Sequence, residues 1–237
     1  MIGLGTIINV VAIIIGGLLG KVCGGFLSKR YQETLNMACG ISVLFLGIAG
    51  ALEGMLTVEG TAVVSGQSML IVLSLVLGAL IGELINLEDK FERFGEWLKR
   101  KTGNEKEANF VDAFVTASLT VCIGAMAIVG AIQDGIFGDY SILATKAVLD
   151  LIIILVMTGA MGKGCAFSAI PVAILQGTVT LLAGFIKPIM TEAALANLSM
   201  VGSILIFCVG VNLVWGKKVR VANLLPAIVI AVILAFV

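Results

Sequence analysis

Asp150 carries the greatest capacity for chemistry in this chain. It stands in the run Lys146-Ala147-Val148-Leu149-Asp150-Leu151-Ile152-Ile153-Ile154, with apolar residues on both sides. A carboxylate near the middle of a membrane helix costs about 2.5–3.5 kcal/mol on insertion scales, so it persists only with a partner or a polar interior. Lys146 lies four residues earlier, one helical turn away on the same face. Two readings stay open. One is an ion pair near the outer interface, with Lys146 reaching outward. The other is a site where Asp150 binds a cation or exchanges a proton.

Gln176 sits in Ile174-Leu175-Gln176-Gly177-Thr178, near the centre of another apolar run. Its amide both donates and accepts, which suits an ion, a polar solute or a neighbouring helix. Pro171 and Ser168 precede it, a combination that can open the backbone ladder and expose carbonyls. Asn9, Asn212, Thr116, Ser118 and Thr120 complete the polar set inside apolar runs. Singly they read as glue between helices. With Asp150 and Gln176 they could line a cavity. Gln133-Asp134-Gly135 and Glu53-Gly54 end apolar runs and suggest either an outer vestibule for cations or ordinary solvated turns. Glu83 is expected at the other end of its run, within reach of water.

Other chemistries are removed by composition. There is no histidine, hence no Ser-His triad and no imidazole metal site. Cys23, Cys39, Cys122, Cys165 and Cys208 show no CxxC spacing, so neither zinc nor a thioredoxin-like motif is indicated. No metal site and no cofactor are expected. The 15 basic and 15 acidic residues balance, so no basic field attracts nucleic acid. No paired acids at helical spacing suggest an enzyme.

The elements that must position these residues are membrane helices. Of the 237 residues, 59% are hydrophobic and 13% charged, against about 45–50% and 25% in soluble domains. The mean hydropathy is +1.15. Continuous apolar runs without period-2 alternation can satisfy their backbones in lipid only as helices. The expected fold is therefore an all-α polytopic membrane protein, one integral domain over residues 1–237. About eight spans are expected, near Ile2–Gly20, Thr34–Leu52, Gln67–Ile85, Phe110–Ala131, Ile142–Met161, Ala166–Ile186, Ala194–Val214 and Val221–Val237. The fifth and sixth form a tight hairpin. The eighth is short, contains Pro226 and is the weakest span.

Orientation follows from the basic residues. One set of connections holds Lys21, Lys29, Arg30, Lys90, Arg93, Lys99, Arg100, Lys101, Lys106, Lys163, Lys217, Lys218 and Arg220. The other holds only Lys146 and Lys187. This places the first set in the cytoplasm and both termini outside, or the C-terminus inside if the eighth run does not cross. The first run lacks a basic segment before it and reads as an uncleaved span rather than a signal peptide. The cytoplasmic loop 86–109 contains Glu88–Lys101, where Phe91, Phe94 and Leu98 share a face with Trp97 beside it. That predicts an amphipathic helix at the interface.

Gly16-Gly17-Leu18-Leu19-Gly20 and Gly78-Ala79-Leu80-Ile81-Gly82 are small-xxx-small packing patterns. Thr180-Leu181-Leu182-Ala183-Gly184 echoes them in a span of opposite direction, which suggests inverted repeats, a transporter signature.

The stretch Ala117–Gly135, the runs Lys146–Asp150 and Gln176–Leu181, Ser168-Ala169 and the tail Val221–Ala227 together resemble a bacterial inner-membrane family, catalogued as domain of unknown function 554. Gly5–Asn9 and Gly16–Gly20 fit the same pattern. Leu151 departs from it, since glycine is expected after the aspartate. The resemblance implies a multi-pass protein of the bacterial cytoplasmic membrane, of transport type, with no settled substrate.

Two functions follow as expectations. The first is a transporter or channel for a small solute or ion, with Asp150, Gln176, Asn9, Asn212, Thr120, Gln133 and Asp134 as its candidate binding residues. The second is a non-transporting scaffold or subunit of a larger complex. The expected partners are the lipid bilayer, an unidentified small solute or ion, and further copies of the chain.

Overall fold

The computed structural model describes residues 2–26 and 28–236. In chain order the elements are α1 (Leu4–Phe26), α2 (Lys29–Met55), β1 (Leu56–Glu59), β2 (Ala62–Ser65), α3 (Ser68–Ile85) and α4 (Leu87–Lys101). Then come α5 (Phe110–Cys122), α6 (Ala125–Phe137) and α7 (Ser141–Met161), and a 3₁₀ turn Lys163–Ser168 that leads into α8 (Ala169–Leu181). The chain finishes with α9 (Ala183–Ile186), α10 (Glu192–Trp215), α11 (Val221–Leu224), α12 (Pro226–Ile233) and a 3₁₀ turn Leu234–Phe236. The fold is all-helical apart from the exposed β1–β2 hairpin, which the sequence reading did not anticipate; it turns at Gly60 with φ 64°.

Among the described residues, six helices are long and apolar enough to cross a membrane, or seven if the bent pair α5–α6 is counted as one span. Two spans differ from expectation. The fourth is not continuous: α5 and α6 meet at 62°. The break falls at Gly124, whose φ of 147° is open to glycine and strained for other residues. The eighth is the short apolar helix Val221–Phe236. At about 1.5 Å per residue it reaches roughly 24 Å, less than the hydrocarbon core of about 30 Å. Pro226 opens α12 at a position where its missing N–H costs nothing. Val237, the expected end of this span, lies outside the described residues. In the sixth span, Pro171 falls in the first turn of α8, where N–H groups have no helical partner anyway.

The described residues group into two compact units. The first contains the chain up to Cys39, Lys90–Cys122 and Met126–Lys187. Its spine is the parallel pair α1–α7. A methyl group added to Gly16 would stand 2.5 Å from the Leu151 carbonyl oxygen, and one on Gly24 would stand 3.0 Å from the Gly159 backbone. Gly20 presses on the Leu155 carbonyl in the same way. So Leu151 does not need to be glycine: the close approach is supplied by glycines on α1. The helix α8 runs antiparallel to α1, with Thr6 against Thr180 and Gly17 against Ala166. Ile13, Ile154, Met157, Cys165 and Val172 form one buried apolar cluster with Ala113, Ala117, Val121 and Ala169.

In the amphipathic helix α4, acids in the first turn and bases in the last complement the helix dipole. Part of its apolar face meets protein. The Phe94 and Phe114 rings are 5.8 Å apart, Gly95 sits on Phe114, and Leu98 is buried. Trp97 stacks on Phe94 and stays half exposed.

The second unit contains Gly40–Asp89, Ile123–Ala125 and the chain from Pro188 onward. Here α2 and α10 are antiparallel, with Gly47 on Phe207 and Gly54 on Met200. The helix α3 packs antiparallel on α11 and α12, with Gly82 on Asn223 and Gly78 on Ala227. Thus the two glycine patterns on α1 and α3 do the same physical work, backbone-to-backbone packing, against partners of opposite direction. Within both units the relative helix directions are those of a chain that reverses at each pass.

Candidate functional site

The first unit holds a layer of buried polar side chains at the end of α1 nearest its N-terminus. Asp150, on α7, is 2% exposed. Lys146, one turn earlier and 8% exposed, places Nζ 2.8 Å from both carboxylate oxygens. Asn9 on α1 donates through Nδ2 to Asp150 Oδ2 at 3.0 Å. The carboxylate therefore accepts three hydrogen bonds, two of them from a cation. A charged pair out of water is tolerable only when its geometry is this complete.

Gln176 is 1% exposed, and neither end of its amide has a hydrogen-bond partner among the described residues. On α8, Val172, Gln176 and Thr180 recur at every fourth residue, so they share a face. That face points at α1, because Thr180 meets Thr6 and Val172 clusters with Ile13. Antiparallel register then puts Gln176 level with Asn9 and Val10. Asn9 Oδ1 is likewise buried without a partner. Two amides thus face the same level of the unit, with two acceptors and one donor group unused. Leaving such groups unpaired costs about 1–3 kcal/mol each, which is rarely retained without a use.

The other sequence-derived candidates divide. Asp134, on α6, is fully buried rather than part of a solvated turn, and its Oδ2 accepts from the Gly5 N–H at 3.0 Å. It thereby caps the N-terminus of α1, where the helix dipole favours an anion. Gln133, beside it, is only partly buried. Thr120 turns its hydroxyl back to the Thr116 carbonyl, and Ser118 does the same to Phe114. Both satisfy their own helix. Asn212 belongs to the second unit. There it donates to the Val219 carbonyl at 2.7 Å and accepts from the Lys218 and Val219 N–H groups, which fastens the loop after α10. The structure thus brings Asp150, Gln176, Asn9 and Asp134 into one unit and gives Asn212 and Thr120 local tasks.

The family described as protein of unknown function (DUF554) matches residues 4–236. The chain belongs to DUF554. It is 30% identical over 233 residues to the uncharacterized membrane protein YdfK of Bacillus subtilis (strain 168), covering 98% of this chain and 96% of that one. It is 29% identical over 235 residues to the uncharacterized protein YqgA of Escherichia coli (strain K12), covering 96% and 94%. No solved structure matches. With its apolar helices, this makes the DUF554 chain a multi-pass membrane protein.

A cavity of about 380 Å³ lies at the other end of the same unit of this DUF554 protein. It is lined by Lys21, Gly24, Gln32, Glu107, Thr158 and Lys163 among others, and Lys163 pairs with Glu107 at 2.7 Å. Along α7, Asp150, Ile154 and Thr158 follow one another at every fourth residue. The polar layer and the cavity are thus about 12 Å apart along the helix. Between them stand Ile13, Ile154, Met157 and Val172.

Sequence reasoning missed Thr6 and Thr180, whose hydroxyls meet at 3.4 Å and fix the α1–α8 register. The signal was weak, since a threonine near a span end is common. It also missed a knot in the second unit. Glu83 pairs with Arg220 at 2.7 Å and accepts from Asn223, while Glu88 Oε2 accepts from the Ala222 N–H at 3.0 Å. Asn223 Oδ1 accepts from the Glu88 N–H at 2.7 Å. Glu83 is exposed, as expected of a residue at a span end.

Proposed function

We propose that this DUF554 protein is a carrier for a small solute across the bacterial cytoplasmic membrane, and not an enzyme. The observation that supports this best is the unpartnered, fully buried Gln176 amide, level with Asn9 and within the layer that holds Asp150 and Lys146. Membrane helices keep such groups where they meet a solute or an ion. In this reading the basic end of the unit faces the cytoplasm, the N-terminal end of α1 faces outward, and the polar layer is the binding site. The layer of Ile13, Ile154, Met157 and Val172 closes it from the cavity at Lys21 and Lys163. Alternating access would move that layer. The broken span α5–α6 fits the same reading, because discontinuous helices accompany transport sites.

The test is a thermal-unfolding screen of the purified chain in detergent, followed by uptake into proteoliposomes. The panel is monovalent and divalent cations, small anions, amino acids, organic acids, amides, urea and polyols. A ligand at about 100 times its Kd stabilises by about 2.7 kcal/mol. A specific shift that is lost in Asp150→Asn, with uptake of the same compound, supports the carrier. No shift from any compound, with a well-folded protein, overturns it in favour of a scaffold.

A further inference from the structure

We propose that Lys146 is a tethered cation, and that the Asp150 site consequently takes an uncharged or zwitterionic solute rather than a free metal ion. This rests on the carrier reading and names its substrate class.

The argument begins with charge. A lone buried carboxylate attracts a proton or a metal ion because nothing else offsets its desolvation. Asp150 is not alone. The Lys146 ammonium lies 2.8 Å from Oδ1 and 2.8 Å from Oδ2, astride the carboxylate where a monovalent cation would bridge it. Asn9 fills a third acceptor direction at 3.0 Å. A free cation entering here would have to displace an ammonium that cannot diffuse away, against repulsion from the same charge. The pair is therefore neutral as a unit.

The groups left over point to the ligand. At the level of Asn9 they are the Gln176 amide N–H₂, the Gln176 carbonyl oxygen and Asn9 Oδ1, all buried and unpartnered among the described residues; the other such oxygen near this end of α1, Asp134 Oδ1, belongs to the carboxylate that caps α1 at Gly5. A primary amide presents a donor and an acceptor side by side. Its complement is a solute with the same pair reversed: an amide, a urea, a polyol or the two ends of a zwitterion. A bare metal ion would use only the oxygens and leave the N–H₂ group unpaired.

The experiment uses the full-length chain in detergent, with unfolding followed by the fluorescence of Trp97 and Trp215. Sodium, potassium and lithium chloride are compared with choline chloride at equal ionic strength. Acetamide, urea, glycerol, glycine and glutamine form the second arm. Wild type is expected to gain about 3 °C or more from at least one of these five solutes, and nothing from the alkali ions beyond choline. Lys146→Gln is expected to acquire alkali-ion stabilisation that Lys146→Gln/Asp150→Asn lacks.

Alkali ions that stabilise wild type above choline overturn the proposal, as does a wild type unmoved by all five solutes. A folded Lys146→Gln that ignores alkali ions overturns it too. If Lys146→Gln does not fold, the wild-type arms decide alone. Proteoliposomes separate the two readings. Asp150-dependent sodium or potassium uptake by wild type would keep the carrier and discard the tethered cation. A stabilising solute that is never taken up would do the reverse.

Discussion

Asn9 on α1 and Asp150 on α7 are joined by a hydrogen bond of 3.0 Å, 141 residues apart in sequence and buried from solvent. With Lys146 on the other side, it makes Asp150 a fully engaged carboxylate. Asn9→Leu should cost about 1.5–3 kcal/mol, the usual loss for a bond to a charged group. Asp150→Asn should cost more, about 3–5 kcal/mol, because it leaves the Lys146 ammonium buried without its counter-charge. Lys146→Met/Asp150→Leu should recover most of that stability while abolishing any solute response. Unfolding of the four proteins in one detergent checks this. A double variant no better than Asp150→Asn would show that the pair is not a coupled unit.

The α1–α7 contact makes a prediction about volume alone. A Cβ on Gly16 would sit 2.5 Å from the Leu151 carbonyl oxygen, whereas one on Gly25 would meet nothing within 4 Å. Neither glycine has a positive φ. Gly16→Ala should therefore lower stability by about 1–3 kcal/mol through overpacking, and Gly25→Ala should leave it unchanged or slightly raised. Equal effects at the two positions would contradict the parallel register described for these helices.

How much was legible beforehand depended on range. Apolar runs disclose helices because the requirement is local: each run must satisfy its own backbone. The i,i+4 pair Lys146–Asp150 was legible for the same reason. The break at Gly124 was not, because a glycine inside an apolar run is ordinary until its φ is known. Asp134 looked like a turn residue because its partner, the Gly5 N–H, lies 129 residues away. Asn212 looked like part of a cavity because its type and setting resemble those of Asn9. Only the loop it fastens distinguishes them. Long-range pairing decides between site and scaffold, and no spacing rule contains it.

The knot in the second unit is such a pairing, and it should be structural. Glu88 accepts from the Ala222 N–H at 3.0 Å and lies 3.1 Å from Lys217 Nζ, while Asn223 holds the Glu88 N–H. Glu88→Ala should cost about 1–3 kcal/mol by leaving the buried Ala222 N–H unpaired. Asn223→Ala should cost a similar amount, and the double variant less than their sum, since both disrupt one network. Hydrogen exchange should quicken first at Val221–Leu224. Additive losses would mean that the two residues act separately.

Gln176 gives the sharpest contrast between stability and function. Its side chain is buried, yet both amide atoms lack partners among the described residues. A group kept only for structure would be bonded, and its removal would destabilise. Here the reverse is expected. Gln176→Met keeps the length of the side chain, removes about 1–3 kcal/mol of desolvation penalty, and so should raise stability by about 1 kcal/mol or more. The same change should erase stabilisation by whichever solute protects wild type. Unfolding curves with and without that solute measure both effects at once. A less stable Gln176→Met would place a structural bond at this amide and remove the observation on which the carrier reading chiefly rests.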